Sequence, residues 1–150
     1  MRISIGTDHA GFLFKESLKP WLQAQGHVVL DEGTHSLERC DYPDFAQAVA
    51  ESVMAGRADQ GILICGTGIG MSIAANKVRG IRAALVHELY TARMSREHNN
   101  ANILVLPARM IALEFAHEIC KVWFASQYEG QRHQARLDKI AALEQNQERK

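Results

Sequence analysis

The feature that most constrains this chain is an alternation. Short runs rich in branched aliphatic residues (Arg2–Gly6, His27–Asp31, Gly61–Cys65, Ile81–Val86 and Ile103–Leu106) are separated by stretches of helical periodicity. Those stretches are Phe12–Gln25, Asp44–Ala55, Met71–Val78, Tyr90–His98 and Leu113–Ala125. Within the second of them Phe45, Val49 and Val53 recur at a spacing that puts them on one helix face. Strand, helix, strand in this order predicts βαβ units and a parallel sheet covered on both sides. Gly61–Cys65 shows no alternation of apolar and polar residues, as a strand buried on both faces should not. Right-handed crossovers then give an α/β fold, a Rossmann-like, doubly wound, five-stranded parallel sheet.

At 150 residues the chain fits a single domain. Residues 1–126 make the sheet-and-helix core, and 127–150 a helical extension. Gly130 breaks the chain before it, and Arg132–Glu148 reads as a polar helix whose apolar stripe is only Leu137, Ile140 and Ala141. So narrow a stripe anchors a helix poorly to its own domain, so this helix is expected to pack on a partner subunit. Gln145–Lys150 is expected to fray.

Bulk properties exclude several classes. Lys plus Arg and Asp plus Glu are both 17, so the formal net charge is +0, unlike the basic footprint of a nucleic-acid binder. Any bound anion must be gripped by a few placed cations. Strand-like residues begin directly after Met1, which predicts no leader peptide, and no apolar run approaches the ~20 residues of a membrane span. Cys40, Cys65 and Cys120 show neither disulfide nor zinc-knuckle spacing, so free thiols in a reducing cytoplasm are expected.

In an open parallel sheet, ligands sit beyond the carboxyl ends of the strands, so the loops after each run carry the chemistry. After the third run stands Cys65-Gly66-Thr67-Gly68-Ile69-Gly70. Three alternating glycines let successive N–H groups point into one concavity at a helix N-terminus, a nest for phosphate or for an oxyanion formed in reaction. A dinucleotide fingerprint would need a further glycine where Met71 stands, although Glu88 lies where a ribose-binding acid could be. A thiol beside a nest of amides is favoured as its anion, which distinguishes Cys65 from Cys40 and Cys120, read as small apolar core residues.

After the first run, Asp8 suits a helix cap and equally a ligand for sugar hydroxyls, and the neighbouring His9 suits a phosphate. His98 closes the fourth helical stretch, where a cationic ring is stabilised and a proton could be donated near neutral pH. Asn99 offers both donor and acceptor, or a routine helix end. Arg132 and Arg136 are four apart, with His133 beside them; Arg109 follows the fifth run at an expected ligand edge. Phosphate binding by a chain of zero net charge needs a convergence of this kind.

Gly61–Lys77 resembles the signature of the B-type ribose-5-phosphate isomerases, a family that also includes galactose-6-phosphate isomerase. The likeness continues through Gly6–Gly11, Asp41-Tyr42-Pro43, Ser95–Asn99, and Tyr128-Glu129-Gly130 with Arg132-His133. It implies a homodimer with active sites at the subunit interface, a small phosphorylated sugar as substrate, and no cofactor or metal. Pairing of such dimers into tetramers stays open. By position it implies Cys65 as the base and Gly66, Gly68, Ile69 and Gly70 as the oxyanion loop. Thr67 would stand near the carbonyl and His98 act as acid in ring opening. Asp8 and Asn99 would meet the sugar, Tyr42 would line the pocket, and His9, Arg109, Arg132 and Arg136 would hold the phosphate. Some relatives use a glutamate where Met71 stands, so this chain is of the cysteine type. Pro107 stands where many relatives have glycine, which leaves the pocket near Arg109, and the substrate, open. A nicotinamide-dependent enzyme, a non-catalytic sugar-phosphate sensor and a metal site of His9, Cys65 and His98 are the competing readings.

Overall fold

The computed structural model describes residues 1–147. Five strands, β1 (Arg2–Thr7), β2 (Val28–Asp31), β3 (Gln60–Cys65), β4 (Ala83–Leu85) and β5 (Ile103–Pro107), form one parallel sheet in the order β2-β1-β3-β5-β4. The helices between them are α1 (Phe12–Ala24), α2 (Tyr42–Met54), α3 (Ile69–Ala75) and α4 (Leu89–Glu97); α5 (Leu113–Ala125) and α6 (Gln134–Gln147) follow β5.

Successive side chains of a strand face opposite ways, and both faces of this sheet are covered. Ile3, Ile5, Ile62, Ile64, Leu104 and Leu106 pack on α1 and α5 through Leu18, Leu22, Ile119 and Trp123. Leu63, Cys65, Ile103 and Val105 face the other way, towards Ala46, Val49 and Ala50 of α2 and Met71 of α3. Helix α2 lies close on the sheet because Gly6 and Gly61 leave room for it. A Cβ at either position would come within 2.7 Å of Val49.

The expected α/β order holds, with shifted ends. Helix α2 begins at Tyr42 rather than Asp44, because Pro43 fits the first turn of a helix, where its missing N–H costs nothing. Helix α3 begins at Ile69 and ends at Ala75, and β4 is only Ala83–Leu85. The terminal polar helix is a 3-10 turn, Gln131–His133, followed by α6, so Arg132 and Arg136 belong to different elements. Leu137 of α6 is buried, whereas Ile140 and Leu143 are exposed. A carboxylate from α6, Glu144, accepts the N–H of Gly80 at 3.2 Å. Of the residues expected to fray, Gln145–Gln147 continue α6, and 148–150 lie outside the described residues.

From β1 the chain moves to β2 on one side, and from the adjacent β3 it crosses to the other side of the sheet. Neighbouring strands whose connections diverge leave a crevice at their carboxyl ends. Asp8–Ala10 and Cys65–Thr67 border that crevice.

Candidate active site

The crevice opens into a cavity of about 350 Å³. At its β3 edge Cys65 is 6% exposed, so the residue packs in the core beneath α2 and α3 and also lines the cavity. The turn that follows depends on glycine. Gly68 has φ +77°, and a Cβ there would meet Leu85 at 2.3 Å. In this conformation the Gly68 N–H donates to Cys65 Sγ at 3.1 Å, the contact that a sulfur anion uses best. Thr67 is exposed in the wall, and its Oγ1 accepts the Ile69 N–H at 3.4 Å. The helix α3 starts here, and its first N–H groups have no intrahelical acceptors. Gly66 and Gly70 line the cavity; Gly68 and Ile69 do not, and Ile69 is 56% exposed on α3.

Three further strands supply the rest of the wall. Beyond β1, Asp8 makes the expected cap, its Oδ1 accepting the Ala10 N–H at 3.1 Å, and the residue lines the cavity. His9 Nδ1 accepts the backbone N–H of Cys40 at 3.3 Å, so a neutral ring carries its proton on Nε2. The segment after β2 contributes Arg39, and α2 contributes Tyr42, whose ring covers Gly70; a Cβ on Gly70 would lie 2.6 Å from Tyr42 Cζ. Beyond β5, the Arg109 N–H donates to the Gly66 carbonyl at 3.0 Å and its side chain lies over Gly66. Pro107 disturbs none of this. Ala108, not residue 107, donates to the Cys65 carbonyl at 2.9 Å, so proline removes no bond from that pairing.

A second group of expected residues gathers elsewhere. His98 caps the end of α4, which Arg96 fastens by bonding the Ala101 carbonyl and by lying over the Trp123 ring at 5.5 Å. Arg82 Nε donates to the carbonyls of Asn99 and Asn100 at 3.1 and 3.0 Å. The Glu129 N–H donates to the Glu97 carbonyl at 3.0 Å and brings the 3-10 turn up to this helix end. There His133, buried, stacks on His98 with ring centroids 4.2 Å apart and planes at 14°. Burial, with the charges of His98 and Arg132 beside it, holds the His133 ring below the usual imidazole range. Arg132 and Arg136 are exposed. None of His98, Asn99, Arg132 and Arg136 lines the Cys65 cavity; Asn99 instead borders a larger one of about 590 Å³, together with Ile140 and Leu143.

Two competing readings lose support. Glu88 accepts the N–H groups of Tyr90 and Thr91, both at 2.6 Å, so it caps α4 and is held below the usual carboxylate range by the Thr91 hydrogen bonds first. With Met71 in the core, the dinucleotide reading keeps neither its third glycine nor its acid. Among the described residues His9, Cys65 and His98 form no ligand cluster; His98, Glu129 and His133 bring ligand atoms within 4.8 Å. Parallel stacked rings keep their lone pairs parallel rather than convergent, and Arg132 Nε already donates to His133 Nε2 at 3.3 Å. That set does not fit a metal ion. Arg39 and the His133 platform are the features that sequence reasoning missed as site elements. Arg39 stands two residues before Asp41-Tyr42-Pro43, the one signal that could have drawn attention to it.

Residues 3–140 match the model of a family described as Ribose/Galactose Isomerase. The chain is 49% identical over 144 residues to ribose-5-phosphate isomerase B of Escherichia coli, covering 96% of this chain and 97% of that one. It is 41% identical over 145 residues to D-erythrulose-4-phosphate isomerase of Pectobacterium atrosepticum, covering 96% and 95%. The solved structure of Clostridium thermocellum ribose-5-phosphate isomerase B superposes with a TM-score of 0.96 at 50% identity, covering 97% of this chain and 99% of that one. Matched in sequence and in backbone along nearly its whole length, this chain belongs to the ribose/galactose isomerase family.

Proposed function

We propose that the protein interconverts ribose 5-phosphate and ribulose 5-phosphate, with the Cys65 thiolate moving the proton. The observation that carries this reading is Cys65, which lines a cavity at the strand crossover and whose sulfur receives the Gly68 N–H. As the sugar opens, the bond from C1 to the ring oxygen breaks, His98 delivers a proton to that oxygen, and the anomeric hydroxyl gives its own proton to solvent and becomes the C1 carbonyl. Cys65 then takes the C2 proton of the aldose, the electron pair forms a C1–C2 double bond, and O1 becomes an oxyanion. The Gly66 and Gly70 backbone and Thr67, which line the cavity, take this charge, where one preorganised donor is worth ~3 kcal/mol, and Gly68 and Ile69 hold the turn. A proton passes from O2 to O1, and Cys65 returns its proton to C1 to give the ketose. Asp8 and Asn99 contact sugar hydroxyls, Tyr42 closes one wall, and His9, Arg109, Arg132 and Arg136 hold the phosphate. Remote binding of this kind orients the reacting carbons and favours the transition state.

The working unit is a homodimer. Each Cys65 cavity receives His98, Asn99, Arg132 and Arg136 from a second copy, and α6 lies on that copy. Support comes from the separation of the two groups within one chain and from the exposed Ile69, Ile73, Ile140 and Leu143. Three free cysteines support a reducing, cytoplasmic setting. No helix among the described residues is long and apolar enough to cross a membrane.

The test is a panel of tetrose, pentose and hexose phosphates, read as aldose–ketose interconversion and as exchange of the C2 hydrogen with solvent. Ribose 5-phosphate is expected to turn over fastest. Faster turnover of a tetrose or hexose phosphate would move the substrate assignment, and binding without exchange would make the protein a sensor.

A further inference from the structure

Arg39 stands in the wall of the Cys65 cavity, and no hydrogen bond or ion pair engages its side chain among the described residues. An unpaired guanidinium on a surface is ordinary. This one differs because its backbone is fixed on both sides. Upstream, the Thr34 N–H donates to the Thr7 carbonyl at 3.0 Å, and the fully buried Lys15 donates to the Thr34 carbonyl at 2.9 Å. Gly33 lies so close to β1 that a Cβ there would come within 2.7 Å of the Thr7 nitrogen. Downstream, the Cys40 N–H is held by His9 Nδ1. The β2–α2 segment is therefore tied to the loop after β1, and it presents Arg39 next to His9.

The charge of the wall sets what this arrangement can bind. Arg39 and Arg109 face a single carboxylate, Asp8, one of whose oxygens is engaged in capping. A cavity with surplus positive charge in a chain of zero net charge suits an anion, and the planar fork of a guanidinium suits phosphate oxygens. We propose that Arg39 is a substrate-binding residue whose guanidinium takes the sugar's phosphate together with His9. This rests on the isomerase reading and adds to it a phosphate ligand from the β2–α2 segment.

The test compares the wild type with Arg39→Ala and Arg39→Lys, reading KM and kcat for ribose 5-phosphate, the inhibition constant of inorganic phosphate, and the thermal midpoint. Arg39→Ala is expected to raise KM and the phosphate inhibition constant tenfold or more, with a much smaller loss in kcat and an unchanged midpoint. Arg39→Lys, which keeps the charge and loses the fork, is expected to fall between. An active wild type with an Arg39→Ala variant of unchanged KM and phosphate inhibition would overturn the assignment and leave the isomerase reading standing. A loss confined to kcat would overturn it too. A wild type inert towards the whole panel would instead overturn the isomerase reading, and Arg39 as a substrate contact with it.

Discussion

Cys65 and Cys120 show how far one residue type is remade by its surroundings. Cys120 is fully buried against the sheet, and burial pushes its thiol up to about 12, so it remains a neutral core residue at any ordinary pH. Cys65 is nearly as buried but receives an amide N–H and borders a cavity. A serine hydroxyl at position 65 fits the space and stays protonated. Cys65→Ser is therefore expected to lower kcat by about 10³-fold or more while changing ligand affinity by less than about threefold, measured as turnover and as the inhibition constant of a sugar phosphate analogue. A fully active serine variant would remove Cys65 from the base role. The Cys65–Gly70 loop is legible in the sequence because its logic is local: glycines, a thiol and a helix start lie within six residues. Arg39 is not legible, because only the contact between His9 and Cys40, 31 positions apart, brings it to the cavity. Glu88 misleads for the opposite reason, since its distance from the glycine loop suggests a ligand while its immediate neighbours make it a cap.

Among the elements, the α/β order is legible because buried parallel strands are unbroken apolar runs, whereas their ends depend on neighbours that pairing supplies. Strand β4 stops at Leu85, opposite Val105, although apolar residues continue to Val86. The join between α1 and β2 hides a feature that no periodicity reveals. Lys15 is fully buried, with Nζ 2.7 Å from both Asp31 oxygens, and Lys19 bonds the same carboxylate at 2.7 Å. Burial alone would push Asp31 up, but hydrogen bonds from Lys15, Lys19 and the Gly33 N–H together hold it below the usual carboxylate range. A group lowered in the folded state adds stability that is present above its unfolded value and is lost as the pH falls through the folded one. Asp31→Asn should thus destabilise the protein by about 3 kcal/mol at pH 7, by leaving the buried Lys15 ammonium only the longer ion pair to the exposed Glu16, at 3.3 Å. Denaturant titrations should show the gap between variant and wild type narrowing below about pH 4. A gap that stays constant with pH would deny Asp31 this role.

For the whole molecule, the proposed division of the site between copies makes a prediction that no single-chain arrangement shares. A Cys65→Ser subunit and an Arg136→Ala subunit are each deficient, but a mixed dimer holds one site built only from native residues. Dissociating and recombining equal amounts of the two should restore about a quarter of wild-type activity, the statistical share of intact sites in a two-fold dimer. Mixtures no more active than their components would place the whole site on one chain. The scaffold around the site also has a dimension set by what is missing. Helix α2 rests against the sheet because Gly6 and Gly61 carry no side chain, and Tyr42, the first residue of that helix, closes on Gly70. The depth at which Tyr42 sits over the cavity is in this sense metered by two absent methyl groups. A methyl group at position 61 would have to displace both Val49 of α2 and Ile103 of β5, so the seating of this helix is set from the sheet side.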